Sequence, residues 1–389
     1  MPPTMLSLIK SLHEGMTAQI RVTSNLTDSI AVCNGLRQGC TLAPTLFNLY
    51  FSAVMASWRS QSTSHGVPVK YHIGRKLVGD RTGKSRLDAV YITESQFADD
   101  AVLYTISRPC LDQTVCEFVS CASRWGLTVS IQKTKVMAAG ANVSTGAVVL
   151  SNGTSVAMVP EFTYLGSVVS SDGSLDTEIT TRLAKASRVF GCLWRPIFQC
   201  RNLFLPTKHM VYKAVVQSTL LHGAETWTVL ARHVRRLTVF HHACIRTILG
   251  VSHAQQWEEH LSSGTLARRF GMPLEMDTLL RQHRLRWLGH VARMDPSRAS
   301  KQVLFGELSA TRPAHGPKKR WRDVIVGDLR ELNLGGSWYE LAQDRLAWRQ
   351  TLYSSRPQPP PPEKTFHCSC GRSFRRSGDL KRHQNFCRR

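Results

Sequence analysis

The feature that most constrains this chain is Gln96-Phe97-Ala98-Asp99-Asp100-Ala101-Val102-Leu103-Tyr104, in which two adjacent carboxylates sit between short apolar runs. Runs of this length and composition read as strands, so Tyr91 to Thr105 is expected to form two short strands around a turn at Asp99-Asp100. Such a turn presents two carboxylates side by side at a sheet edge. Nucleotide transfer to a 3′-hydroxyl uses two divalent ions about 4 Å apart, one activating the attacking oxygen and one stabilising the leaving pyrophosphate. Mg2+ takes carboxylate oxygens and keeps several waters, so a few rigidly placed Asp side chains are enough to hold it. Adjacent Asp residues also occur in plain solvated turns, and the box alone leaves both readings open.

Three further segments stand around the box in a fixed order. Asn34-Gly35-Leu36-Arg37-Gln38-Gly39-Cys40 runs into Thr41-Leu42-Ala43-Pro44-Thr45-Leu46-Phe47-Asn48 upstream. Gly126-Leu127-Thr128-Val129-Ser130-Ile131-Gln132-Lys133-Thr134-Lys135 and then Phe162-Thr163-Tyr164-Leu165-Gly166 follow it. In this order and spacing the segments resemble the later palm boxes of non-long-terminal-repeat (LINE-type) retrotransposon reverse transcriptases. The resemblance implies RNA-directed DNA polymerase chemistry with Mg2+, and RNA and DNA as partners. It makes Asp99 a metal ligand with Asp100 beside it as the catalytic carboxylates. Arg37, Gln38, Gly39 and Pro44 would lie against the template and incoming nucleotide, glycine allowing close backbone approach. Lys133 or Lys135 would be the basic residue near the incoming triphosphate. Tyr164-Leu165-Gly166 would grip the primer, with ordinary core packing as the competing role for Tyr164 and Leu165.

In that family the first palm carboxylate, which holds both ions, belongs on a strand upstream of Arg37-Gln38-Gly39. Before Gly35 the acidic residues are Glu14 and Asp28, and neither has an apolar strand around it. Loss of one member of a catalytic constellation costs orders of magnitude in rate. The expectation is a truncated element product, inactive as a polymerase by itself. The alternatives are a nucleic-acid-binding zinc-finger protein repurposed from the element, or a partial version of an active reverse transcriptase.

The fold class expected is α+β. A partial palm spans 1–170, a basic helical thumb-side or connector region 171–355, a Pro-rich linker 356–363 and a small ββα zinc finger 364–389. One amphipathic helix carries Ile179, Leu183, Ala186 and Phe190 on one face and Arg182, Lys185 and Arg188 on another, and Pro196 is expected to stop it. A second carries Val234, Leu237, His241, Cys244 and Ile248 and ends at Gly250, and the pattern from 205 to 350 is helical throughout. Arg281, Arg284, Arg286 and Arg293 accompany Trp287, and Lys318, Lys319, Arg320 and Arg322 surround Trp321. The tryptophans read as core residues and the cations as nucleic-acid contacts.

Lys and Arg number 50 against 27 Asp and Glu, a net charge of +23 with His neutral. That imbalance calls for a polyanionic partner, and nucleic acid fits it. No apolar run of about 18 residues is present, so no membrane span is expected. The first residues lack the pattern of a secretory signal, and a nuclear location is expected. The cysteines scattered from Cys33 to Cys244 read as reduced, small hydrophobes.

The last 26 residues are too few for an apolar core of their own and need a staple. Twelve residues separate Cys370 from His383, and three separate His383 from Cys387. Zn2+ takes four ligands in a tetrahedron, two from a hairpin knuckle and two one turn apart on a helix. Cys368, Cys370, His383 and Cys387 meet that demand, with Phe374 and Leu380 as the small core. The segment resembles a ββα zinc finger with Cys as the last ligand. It departs from the usual pattern in the single residue between Cys368 and Cys370, which leaves His367 as an alternative first ligand. Such a unit folds only with its metal, and Arg375, Arg376, Asp379 and Arg382 would face a groove or a partner.

Overall fold

The computed structural model describes residues 2–23, 25–37, 39–62, 66–71, 89–139, 146–149, 153–272, 275–308, 319–354, 366–367 and 373–374. Helices and strands are mixed along the chain, as the α+β expectation requires. Helix α1 (Pro3–His13) starts on a proline and buries none of its residues. It leads into two short ladders, Thr17–Ala18 with Ile30–Ala31 and Arg21–Val22 with Asn25–Leu26.

Helix α2 (Ala43–Gln61) carries Pro44 in its first turn, where a missing N–H costs nothing and the fixed φ suits a helix. Its buried residues Phe51, Val54, Met55 and Trp58 recur at helical spacing. They face α3 (Arg108–Arg124), where Phe118 meets Trp58 edge-on with ring centroids 5.8 Å apart. Gly126, at φ +74°, ends α3, and the Leu127 N–H donates back to the Ala122 carbonyl at 2.9 Å.

Strands β1 (Val67–Tyr71) and β2 (Ala89–Ile92) form one hairpin; β3 (Glu94–Phe97) and β4 (Asp100–Leu103) form the next. Ala101 and Leu103 of β4 join Phe47, Phe51, Met55, Trp58, Phe118 and Cys121 in one apolar cluster. The Asp-Asp hairpin is therefore bedded on α2 and α3. Beyond α3 lies a three-stranded sheet, with β7 (Ser155–Met158) between β6 (Gly146–Val149) and β5 (Lys135–Val136). Strands β8 (Glu161–Tyr164) and β9 (Ser167–Ser170) close a hairpin whose turn residues, Leu165 and Gly166, take φ of +48° and +85°.

Helix α4 (Asp176–Leu193) does not stop at Pro196. The chain continues as a π turn over Trp194–Phe198, with the Gln199 N–H reaching the Trp194 carbonyl at 2.8 Å. The wider turn moves the carbonyl that an α-helical proline ring would strike. The helices α5 (Ala231–Ile248), α6 (Met276–Ala292), α7 (Trp321–Glu331), α8 (Trp338–Gln343) and α9 (Arg345–Ser354) form the bulk of the C-terminal half. Two cores hold them. Ile179, Phe198, Tyr212, Leu237 and Ile245 belong to the first; Leu285, Leu288, Ile325, Trp338 and Trp348 belong to the second. Helix α6 spans both, placing Met276 and Leu280 in the first and Leu285 to Ala292 in the second.

One strand interrupts this helical region. β10 (Gly306–Leu308) pairs antiparallel with β1, giving a sheet ordered β10-β1-β2. A Cβ on Gly306 would lie 2.3 Å from Val69 Cγ1 and 2.4 Å from the Gln302 carbonyl oxygen, so only glycine fits the approach. Near the end of the chain β11 (Phe366–His367) pairs with β12 (Ser373–Phe374), Phe366 opposite Phe374. Among the described residues no helix is long and apolar enough to cross a membrane.

Candidate functional site

The β3–β4 hairpin turns on Ala98 and Asp99, with Phe97 opposite Asp100. Ala98 takes φ +53°, a left-handed conformation that costs an L-residue roughly 1 kcal/mol and is held only by its surroundings. Asp99 and Asp100 are both exposed at this tip. Behind them the Ser95 and Tyr104 hydroxyls lie 2.9 Å apart. Tyr164, at the end of β8, lies within interaction range of Ser95. Burial pushes the Tyr164 phenol above its ordinary value; Ser95 opposes this, and the Tyr104 and Asp100 charges add to it. Tyr164, which closes the β8–β9 turn with Ser167, thus lies near the Asp-Asp hairpin. Leu165 is 44% exposed there, so it is not a core residue.

The other residues singled out from the sequence stand on separate elements. Arg37 and Gly39 lie in the exposed loop before α2, Gly39 at φ +84° with open space where a Cβ would be. Gln38 lies outside the described residues, and Pro44 is exposed at the start of α2. Lys133 and Lys135 are exposed beside β5, and Lys135 Nζ donates to the Gln132 carbonyl at 3.0 Å. Among the described residues, no three His, Cys, Asp or Glu side chains converge as a metal site would require. Asp99 and Asp100 suit Mg2+ by their chemistry, but they stand as a pair.

Two residues at this site were not singled out as such. Arg182, expected on the polar face of its helix with Lys185 and Arg188, is buried to 4% and paired with Glu178 at 1%. A carboxylate four residues before an arginine was the available signal. From α4 these two hold the backbone of the β8–β9 turn. Val168 N–H donates to Glu178 Oε2 at 2.7 Å, and Arg182 Nη2 donates to the Gly166 carbonyl at 2.5 Å and to Ser167 Oγ at 3.2 Å.

The basic helix expected around Trp287 needs correction. Arg284 is buried and donates to both oxygens of Asp328, at 2.7 and 2.9 Å. Arg281 pairs with Asp277 at 3.1 Å, Asp328 at 3.7 Å and Glu331, and Arg293 donates to the Ala342 carbonyl. These three cations join helices; of the four arginines, Arg286 is the exposed one. Trp287 and Trp321 are half-buried against the second core, and Trp321 Nε1 donates to the Glu225 carbonyl at 2.8 Å. Lys319 and Arg320 are exposed, and Lys318 lies outside the described residues.

Of the segment expected to form a zinc finger, the structure describes the β11–β12 hairpin alone. The expected ligands Cys368, Cys370, His383 and Cys387 lie outside the described residues, and the alternative ligand His367 stands on β11 opposite Ser373.

Residues 2–169 match the reverse transcriptase (RNA-dependent DNA polymerase) family. Over 272 residues, 68% of this chain and 96% of the relative, the sequence is 24% identical to a transposon-derived protein of Caenorhabditis elegans. That alignment is too long to lie within residues 2–169 alone. Residues 2–169 are thus similar to a reverse transcriptase domain.

Proposed function

We propose that this chain is a remnant of a retrotransposon reverse transcriptase that binds RNA and DNA and does not polymerise by itself. The observation that carries the reading is the exposed Asp99–Asp100 pair at the tip of the β3–β4 hairpin, residues whose chemistry suits Mg2+. Two-metal transfer needs a ligand shared by both ions. Asp99 and Asp100 would hold Mg2+, which supplies charge neutralisation for the triphosphate when bound. Nucleic-acid binding follows from the net charge of +23 and from the exposed Arg37, Lys133, Lys135, Arg286, Lys319 and Arg320. The expected location is the nucleus, where such a partner resides.

The test is binding of the full chain to an RNA–DNA duplex by fluorescence anisotropy over a salt series. A contact with several phosphates gives a steep linear fall of log affinity with log salt, near −0.9 per phosphate neutralised on B-form duplex. Binding that ignores salt contradicts the reading.

The C-terminal segment is proposed to bind one Zn2+ through Cys368, Cys370, His383 and Cys387. The antiparallel pairing of Phe366 with Phe374 supports it, because that register makes the hairpin of a ββα finger. Zinc content of the full chain is expected to be lost in Cys370→Ala and Cys387→Ala. Loss in Cys368→Ala with retention in His367→Ala supports Cys368 as the first ligand, and the reverse result assigns His367.

A further inference from the structure

We infer that Glu178 and Arg182 are positioning residues that hold the Tyr164-Leu165-Gly166 turn in place beside the Asp99–Asp100 tip, where a nucleic-acid strand would lie. The inference rests on the reading of the chain as a polymerase remnant. The β8–β9 hairpin poses a problem of stability. An isolated two-stranded hairpin is marginal in water, and β8–β9 pairs with no third strand among the described residues. Its turn has two consecutive residues at positive φ, one of them Leu165. Something outside the ladder must fix it.

Helix α4 does so through backbone and side-chain atoms of three consecutive residues. Val168 stands opposite Thr163, one residue beyond the pair Tyr164–Ser167 that closes the turn. Its N–H therefore points out of the ladder, and Glu178 Oε2 takes it at 2.7 Å. Arg182 Nε donates to the other Glu178 oxygen at 2.7 Å, leaving its Nη2 for the Gly166 carbonyl and Ser167 Oγ. The opposite side is closed by the turn before Thr226. Gly223 stands there at φ +75°, and a Cβ on it would come within 2.9 Å of Ser167 Oγ. At the end of β8, Tyr164 lies within interaction range of Ser95, and the Asp100 charge acts on its phenol.

A buried ion pair adds little net stability over well-packed apolar side chains. What this pair adds is direction, since both partners aim their remaining hydrogen-bonding groups at the turn. Arg284 and Asp328 are buried to a similar degree but join helix α6 to helix α7, away from the hairpin, and so provide an internal control.

The experiment compares Glu178→Gln, Arg182→Lys and Asp328→Asn in the full chain. It reads amide hydrogen exchange at residues 166–168, affinity for a primer–template duplex, and melting temperature. Glu178→Gln is expected to speed exchange at these amides and weaken duplex affinity, each by about tenfold, the worth of one charge-assisted hydrogen bond. Arg182→Lys, which keeps the charge, is expected to show a smaller effect on both. Asp328→Asn is expected to lower the melting temperature while leaving hairpin exchange and affinity at their original values. Unchanged exchange and affinity in Glu178→Gln, or equal changes in Asp328→Asn, would overturn the assignment. Should Glu178→Gln fail to fold, Ser167→Ala removes one contact at the turn without stranding a charge, and unchanged exchange there overturns it equally. Should the unmodified chain not bind the duplex, the polymerase-remnant reading fails, and hairpin exchange alone decides the positioning role.

Discussion

Arg284 on α6 and Asp328 on α7 form a buried, two-point ion pair at 2.7 and 2.9 Å, and Arg281 reaches the same carboxylate from one turn earlier. The pair fixes how two helices of the second core meet. Removing Arg284 leaves the buried Asp328 with the longer contact to Arg281 alone, at 3.7 Å, and breaking a buried pair costs up to about 3–5 kcal/mol. Arg284→Ala is therefore expected to lower unfolding free energy by that amount in urea titrations. Arg286→Ala, two residues on and exposed, is expected to leave stability within about 0.5 kcal/mol and to weaken nucleic-acid binding instead. Equal effects of the two substitutions on stability would contradict the placement.

Gly289 faces Trp348 so closely that a Cβ would lie 2.2 Å from its Nε1. That same Nε1 donates to the Leu285 carbonyl at 3.0 Å. Gly289→Ala must push the indole away and break the bond, although alanine has the better helix propensity. A loss of about 1–3 kcal/mol is expected from overpacking, measured by chemical denaturation. A gain would show that the α6–α9 contact is looser than described.

Ala98 carries the strained φ at the Asp-Asp tip. Ala98→Gly removes the Cβ clash and is expected to stabilise the chain by roughly 0.5–1 kcal/mol. Thermal melting checks this, and destabilisation would mean that the turn holds no strain.

His241 is buried in the first core, its Nδ1 2.9 Å from the Tyr212 hydroxyl. Burial first, and the neighbouring His242 second, push its pKa down from 6.5 to about 4. The Cys244 thiol is pushed up to about 12, chiefly by burial. A histidine with a depressed folded pKa takes up its proton more readily in the unfolded chain. Its contribution is therefore neutral above about pH 6.5 and destabilising as pH falls from there towards 4. The full effect is on the order of 3 kcal/mol. Urea titrations at pH values of about 7.5 and 5 are expected to show most of this loss, reduced in His241→Gln. His209 and His242 shift in the same direction, mainly by burial, and add to the slope.

How much of this was legible depended on distance along the chain. The Asp-Asp hairpin, the Pro44 helix start and the Gly126 and Gly250 helix ends are local events, and their residues announce them. The inward turn of Arg284 is not local: its partner lies 44 residues away, and periodicity does not say which of several arginines meets a carboxylate. Arg182 was hidden in the same way among basic neighbours, although its partner Glu178 is only four residues off. The pairing of β10 with β1 joins segments more than 200 residues apart and shows no sequence pattern at all beyond Gly306. Pro196 broke a rule of thumb because a π turn accommodates it. The α4 grip on the Tyr164-Leu165-Gly166 turn was not implied by the order of the boxes.

The central proposal is that the chain binds nucleic acid beside the Asp99–Asp100 pair and does not polymerise by itself. Primer extension on a primed RNA template, with full-length protein, Mg2+ and nucleotides, and binding to the same template measured in parallel, tests it most directly. The account predicts salt-sensitive binding without extension. Robust extension that disappears in Asp99→Asn and Asp100→Asn would contradict it.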